Sequence, residues 1–109
     1  MTSDADLQLF DVGETHTIAA SNCNKLYSAG WNDCFQLGRN ANSNHFTHHF
    51  EQIHFNVDLF RPKAIVCGDN HNMLVDAHGI LYVWGDNSKG QLGLGHSRHV
   101  PKIQILDFL

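Results

Sequence analysis

The chemistry open to this chain rests on nine histidines and three cysteines among 109 residues. Histidine titrates near neutrality and ligates metals, and a thiolate is both a nucleophile and a metal ligand. His45, His48, His49 and His54 lie within ten positions, with Cys34 upstream. A structural zinc site usually shows paired ligands at tight spacing, as in C-x-x-C or H-x-x-x-H. His45-x-x-His48 is a fragment of that pattern without thiol partners, so these histidines are expected to be solvated loop residues and no metal ligand is assigned. Cys23, Cys34 and Cys67 cannot all pair within one chain and none forms C-x-x-C, which predicts reduced thiols. Cys23, in a hairpin turn, is the expected exposed thiol, and Cys67, in a strand, is expected to be buried. Asp33 and Asp86 sit beside glycine-rich loops, where Asp favours turns. No carboxylate pair or nucleophile–base spacing stands out, so no catalytic residue is assigned and the protein is not expected to be an enzyme.

The second candidate is the stretch YVWGDNSKGQLGLG at residues 82–95, where Gly85, Gly90, Gly93 and Gly95 lie within eleven positions. Gly85 and Gly90 have the spacing of a phosphate-binding loop. Gln91 and Leu92 follow in place of Lys and Ser/Thr, so the charge for phosphate and the hydroxyl for magnesium are missing. Gly93-x-Gly95 is followed by Arg98 and no helical pattern, so a dinucleotide fingerprint fails as well. The stretch reads as a strand running into a turn, and no cofactor is expected.

Seven basic residues are scattered along a chain of net charge -4, which leaves no stripe for phosphate contacts and argues against direct nucleic-acid binding. Residues 1–6 are polar and acidic, unlike a signal peptide, and no apolar run approaches bilayer length. The expectation is a soluble intracellular protein, cytoplasmic or nuclear, with no membrane partner.

The elements that would position these residues repeat. Shifted by 55, the chain overlays itself with nine identities across the 28 positions of residues 13–40. Unrelated stretches would match at roughly two positions given ordinary residue frequencies. The matched pairs are Gly13/Gly68, His16/His71, Leu26/Leu81, Tyr27/Tyr82, Gly30/Gly85, Asn32/Asn87, Gln36/Gln91, Leu37/Leu92 and Gly38/Gly93. Strand chemistry recurs in each copy: residues 7–12, 17–20, 25–29 and 50–55 in the first, and 63–67, 72–75, 80–84 and 102–106 in the second. Each copy therefore predicts one four-stranded antiparallel sheet. Asn24 stands where the second copy has Gly79, and Asn tolerates the left-handed conformation such a turn requires. Pairing Gln52 and Ile53 with Gln104 and Ile105 uses a shift of 52, which predicts a linking loop three residues longer in the first copy, within residues 40–49.

The pattern resembles the regulator-of-chromosome-condensation repeat. CGDNH at 67–71, DAHG at 76–79 and residues 82–95 carry the resemblance in a near-complete second copy. The first copy is degraded, with Ala29 at the Trp84 position, Phe35 at the Gly90 position, and Arg39-Asn40 for Leu94-Gly95. The resemblance implies an all-β fold: two four-stranded blades of a β-propeller forming part of a ring, with repeats at 9–62 and 63–109. The family's ring has seven blades, and its founding member is an exchange factor for a small nuclear GTPase, while many relatives are interaction platforms. Two blades leave open faces, so further blades are expected from a longer chain or from self-association. Gly13, His16, Gly30, Asn32, Gln36, Gly38, Gly68, His71, Trp84, Gly85, Asn87, Gly90, Gln91 and Gly93 are read as blade-building residues. The two histidines are expected to bond backbone near a turn, and Trp84 to pack between blades. The functional expectation is a non-enzymatic protein-interaction module, with residues 40–49 as its best candidate surface and Trp31 or Phe35 as possible anchors. The alternative is part of an exchange factor whose partner is a small GTPase.

Overall fold

The computed structural model describes residues 7–39, 46–55 and 60–106. The alternating apolar runs form eight strands: β1 (Leu7–Val12), β2 (His16–Ser21), β3 (Leu26–Trp31), β4 (Phe46–Ile53), β5 (Pro62–Cys67), β6 (His71–Asp76), β7 (Leu81–Gly85) and β8 (Val100–Ile105). They make two four-stranded sheets, β1-β2-β3-β4 and β5-β6-β7-β8, with every neighbour antiparallel. These are two blades in sequence order, as the repeat predicted. No helix among the described residues is long and apolar enough to cross a membrane.

The middle hairpin of each blade shows how little identity the repeat needs. Asn24 and Gly79 both take positive φ, at 62° and 83°. Ser21 Oγ accepts the N–H groups of Cys23 and Lys25, each at 3.2 Å. Asp76 Oδ1 accepts the equivalent N–H groups of His78 and Ile80 at 2.9 and 3.0 Å. Different side chains thus close one turn geometry.

The outer strand differs from expectation in two ways. β4 begins at Phe46 rather than Phe50, so His48 and His49 stand on a strand and not in a loop. Register also corrects the repeat. Gly30 faces Thr47 and Gly85 faces Val100, while Ser28 faces Glu51 and Val83 faces Gln104. Both pairings give a shift of 53, so the loop of the first blade is longer by two residues rather than three. Burial explains the correction, because the interior positions are Thr47 and Val100, at 7% and 5% exposure, and Ile53 and Leu106, at 2% and 9%. A one-residue slip would turn all four outward. Residues 40–45, most of the expected interaction loop, lie outside the described residues.

The two sheets share one core. Strand β5 lies against β1 and β2. Ile18, Ala20, Leu26 and Ile53 of the first blade join Ile65, Leu74, Tyr82, Trp84, Leu92 and Leu106 of the second in a continuous buried cluster. Trp84 is fully buried.

Candidate functional site

The glycine-rich turn occurs twice with one bonding scheme. Asn32 Oδ1 accepts Leu37 N–H at 3.1 Å, and Asn87 Oδ1 accepts Leu92 N–H at 3.0 Å. Gln36 Oε1 accepts Cys34 N–H at 2.7 Å, and Gln91 Oε1 accepts Lys89 N–H at 2.9 Å. Gly90 and Gly93 N–H groups donate to Asn87 and Gly90 carbonyls. A phosphate cradle needs several N–H groups converging on a ligand. In this turn the N–H groups of Lys89, Gly90, Leu92 and Gly93 all have acceptors within the turn.

Between the blades, the first turn is read by the second blade. Gln36 O accepts Asn72 Nδ2 at 2.7 Å and Trp84 Nε1 at 3.0 Å. Asn72 is thereby oriented with its Oδ1 toward His16, whose Nε2 lies 2.6 Å away. Because that oxygen only accepts, the imidazole carries its proton on Nε2. The other ring nitrogen, Nδ1, is buried without a partner. Burial pushes the His16 pKa down, an effect the Asn72 hydrogen bond opposes and the neighbouring His71 reinforces. His16 therefore bonds a side chain of the next blade, not the backbone beside its own turn. The Gln36 amide is fully buried, and its Nε2 donates to Asp33 Oδ1 at 2.7 Å and Thr15 Oγ1 at 3.2 Å. Thr15 in turn donates to Asn70 Oδ1 at 3.0 Å.

Three glycines, Gly13, Gly38 and Gly85, fit this contact, and Gly68 repeats the first of them within the second blade. A Cβ at Gly38 would meet Trp84 Nε1 at 2.7 Å. A Cβ at Gly13 would strike the His16 imidazole and Gly68 O, and one at Gly68 would strike the imidazole of His71 in its own blade. A Cβ at Gly85 would meet Asn70 O at 2.8 Å.

The remaining candidates are dispersed. Cys23 is exposed, Cys34 and Cys67 are half-buried, and none is in a disulfide. Cys67 is held at the blade junction, its N–H on Asp11 Oδ2 at 2.9 Å and its Sγ on Asp11 O at 3.4 Å. Burial and the Asp11 charge push its pKa up to about 12, so it is an unreactive thiol. His48 stands edge-on to Phe46 with centroids 4.7 Å apart, and among the described residues His48, His49 and His54 do not form a three-ligand group. Trp31 and Phe46 pack with ring centroids 4.7 Å apart and planes tilted by 49°, exposed at 46% and 40%. They border a shallow cleft of about 520 Å³ that Val12 and His48 also line.

Two parts of the arrangement fall where the copies differ, although Asp76 belongs to the DAHG run that carries the resemblance. Asn72 faces Thr17 in the overlay, so identity does not flag it. Asp76, opposite Ser21, is also buried and accepts the Tyr82 hydroxyl at 2.9 Å. Burial opposes its ionisation, but hydrogen bonds from Ile80, Tyr82 and His78 outweigh that and hold its pKa below the usual value.

Fold and site together define a pair of propeller blades whose mutual contact is made in part by the signature residues His16, Gln36, Gly38 and Trp84. Models of the regulator of chromosome condensation (RCC1) repeat match residues 63–91 and 78–107. Both matches fall on the second blade, so the chain carries the repeat of this family there, and the first blade repeats its four-stranded sheet. It is 40% identical over 100 residues to the ultraviolet-B receptor UVR8 of Arabidopsis thaliana, covering 87% of this chain and 22% of that one. It is 31% identical over 94 residues to the human X-linked retinitis pigmentosa GTPase regulator, covering 86% of this chain and 9% of that one. The chain thus spans under a quarter of the length of these curated relatives. Among solved structures, Prp20p of Saccharomyces cerevisiae, described with its binding properties to Gsp1p and histones, superposes with a TM-score of 0.84 at 22% identity. That match covers 99% of this chain and 27% of Prp20p.

Proposed function

We propose that the chain is part of a non-enzymatic protein-interaction module in which propeller blades present surface side chains to a protein partner. The observation that carries this reading is a division of labour. The repeat-signature side chains engage the turn interior and the blade contact, while Trp31 and Phe46 stand together on the surface beside a cleft. Exposed aromatics are the side chains that most often anchor an interface. Gly13, His16, Gly38, Gly68 and Trp84 in this reading build the blade and touch no ligand. Direct binding of nucleic acid or membrane forms no part of it, and a cytoplasmic or nuclear location suits it. A photo-crosslinking amino acid at position 31 tests the proposal in cells. A protein adduct formed there, and not from position 25 on the first blade's hairpin, is the expected result. Equal yields from the two positions, or none, would contradict it.

The second reading, part of an exchange factor for a small GTPase, is favoured by the likeness to a GTPase regulator and to Prp20p. Its test is nucleotide release from a panel of small GTPases by the longest form of the protein. Release no faster than the intrinsic rate removes it.

A further inference from the structure

Several departures from the repeat fall on one spot. Asp86 stands where the first copy has Trp31, Cys34 where the second has Lys89, and Phe35 where the second has Gly90. His99 precedes Val100, which faces Gly85, just as Phe46 precedes Thr47, which faces Gly30. His99 and Asp86 of the second blade thus occupy the place of the paired Phe46 and Trp31 of the first. In that place His99 Nδ1 lies 3.3 Å from Asp86 Oδ1. The turn of the first blade brings Cys34 to them. Ligand atoms of Cys34, Asp86 and His99 all lie within 4.8 Å of one another. We propose that these three side chains bind one divalent cation of the zinc type and so bridge the two blades.

The donor set defines the ion. A thiolate, an imidazole and a carboxylate suit zinc, cobalt or cadmium, and the thiolate disfavours calcium and magnesium. Zinc bonds of about 2.0–2.3 Å place neighbouring ligand atoms of a tetrahedron roughly 3.5 Å apart. The observed separations, 3.3 Å between His99 Nδ1 and Asp86 Oδ1 and at most 4.8 Å among all three, bracket that size. Surrounding groups already orient two of the ligands. Asp86 Oδ1 accepts Ser88 N–H at 2.9 Å, and His99 Nδ1 accepts Asn87 N–H at 3.3 Å, so the ring nitrogen nearest the carboxylate is unprotonated and the ion would take its lone pair in place of that long hydrogen bond. The ring of Phe35 stands 6.2 Å from that of His99 and walls one side. His99 is exposed, giving the ion an entry path, and three protein ligands leave a fourth position for water. Binding transfers the Cys34 thiol proton to solvent as the thiolate–metal bond forms.

Cobalt titration of the full chain tests the site. One equivalent is expected to produce a thiolate-to-cobalt charge-transfer band that zinc abolishes by displacement. Cys34→Ser removes the band, Asp86→Asn and His99→Phe each weaken binding at least about tenfold, and Cys23→Ser leaves it intact. In the unaltered chain, zinc is expected to slow alkylation of Cys34 and leave Cys23 unaffected, a readout that does not depend on a variant folding. The proposal is overturned by absence of the band, by a band that survives Cys34→Ser, or by equal zinc effects on the two thiols.

Discussion

At the scale of the residue, space and not conformation alone distinguishes otherwise equivalent glycines. Gly38 and Gly90 have nearly the same φ, 65° and 69°. A Cβ at Gly90 meets nothing closer than His96 O at 3.9 Å, whereas at Gly38 it would strike the Trp84 indole. Left-handed backbone costs a non-glycine residue about 1–2 kcal/mol. Gly90→Ala is expected to lower stability by about that amount, and Gly38→Ala by clearly more, in matched denaturant titrations. Phe35 already bears that backbone strain at φ 61°. The buried imidazole of His16 gives a second prediction. Its pKa is lowered from 6.5 by burial, so the unfolded chain binds the proton first as pH falls. The contribution of His16 is complete above about pH 6.5 and declines below it as the folded pKa is approached. Melting temperature should therefore fall more steeply between pH 7 and pH 5 in the natural chain than in His16→Gln. Parallel slopes would show that His16 is not the titrating group.

At the scale of the element, the hairpins isolate the value of a buried carboxylate. Asp76 and Ser21 accept equivalent backbone N–H groups, but only Asp76 is charged and also holds Tyr82, whose pKa is raised to about 12 by burial and by that carboxylate. Asp76→Ala is expected to cost about 3 kcal/mol and Ser21→Ala about 1 kcal/mol, from the strength of charged against neutral hydrogen bonds. Since the Asp76 pKa is depressed, its contribution is full above the unfolded value of about 3.8 and is lost as pH falls through the folded value. The gap between the two variants should then close in acid. The elements also show what was legible in the sequence. Glycine spacing and the Asn-x-x-x-Gln run exposed the twin turns, because those geometries admit few residue types. The outer strands were misplaced by one residue in register and β4 by four at its start, because Phe46–Ile53 and Val100–Ile105 share almost no side chains and only burial fixes their phase. Asn72 was invisible because its task belongs to a contact between copies, which an overlay of copies does not display.

At the scale of the whole molecule, two blades share a core yet keep outward apolar groups. Phe10 and Val12 on β1 are exposed at 67% and 57%, and Val66 on β5 at 57%. Stacked repeats are stabilised by their neighbours as well as internally. The 109-residue chain by itself is expected to associate or to melt at a lower temperature than a form carrying further blades, measured by sedimentation and by heating. A monomer of equal stability would contradict this. The central claim is that the signature residues lock one blade to the next, with Gln36 O on Trp84 Nε1 at the heart of the lock. Of the two tryptophans, Trp84 is fully buried and Trp31 is 46% exposed. Hydrogen exchange of the two indole N–H groups, followed by nuclear magnetic resonance and assigned with Trp31→Phe, tests it most directly. The lock predicts rapid exchange at Trp31 and protection at Trp84 that is lost only on global unfolding. Equally rapid exchange at both indoles would contradict it.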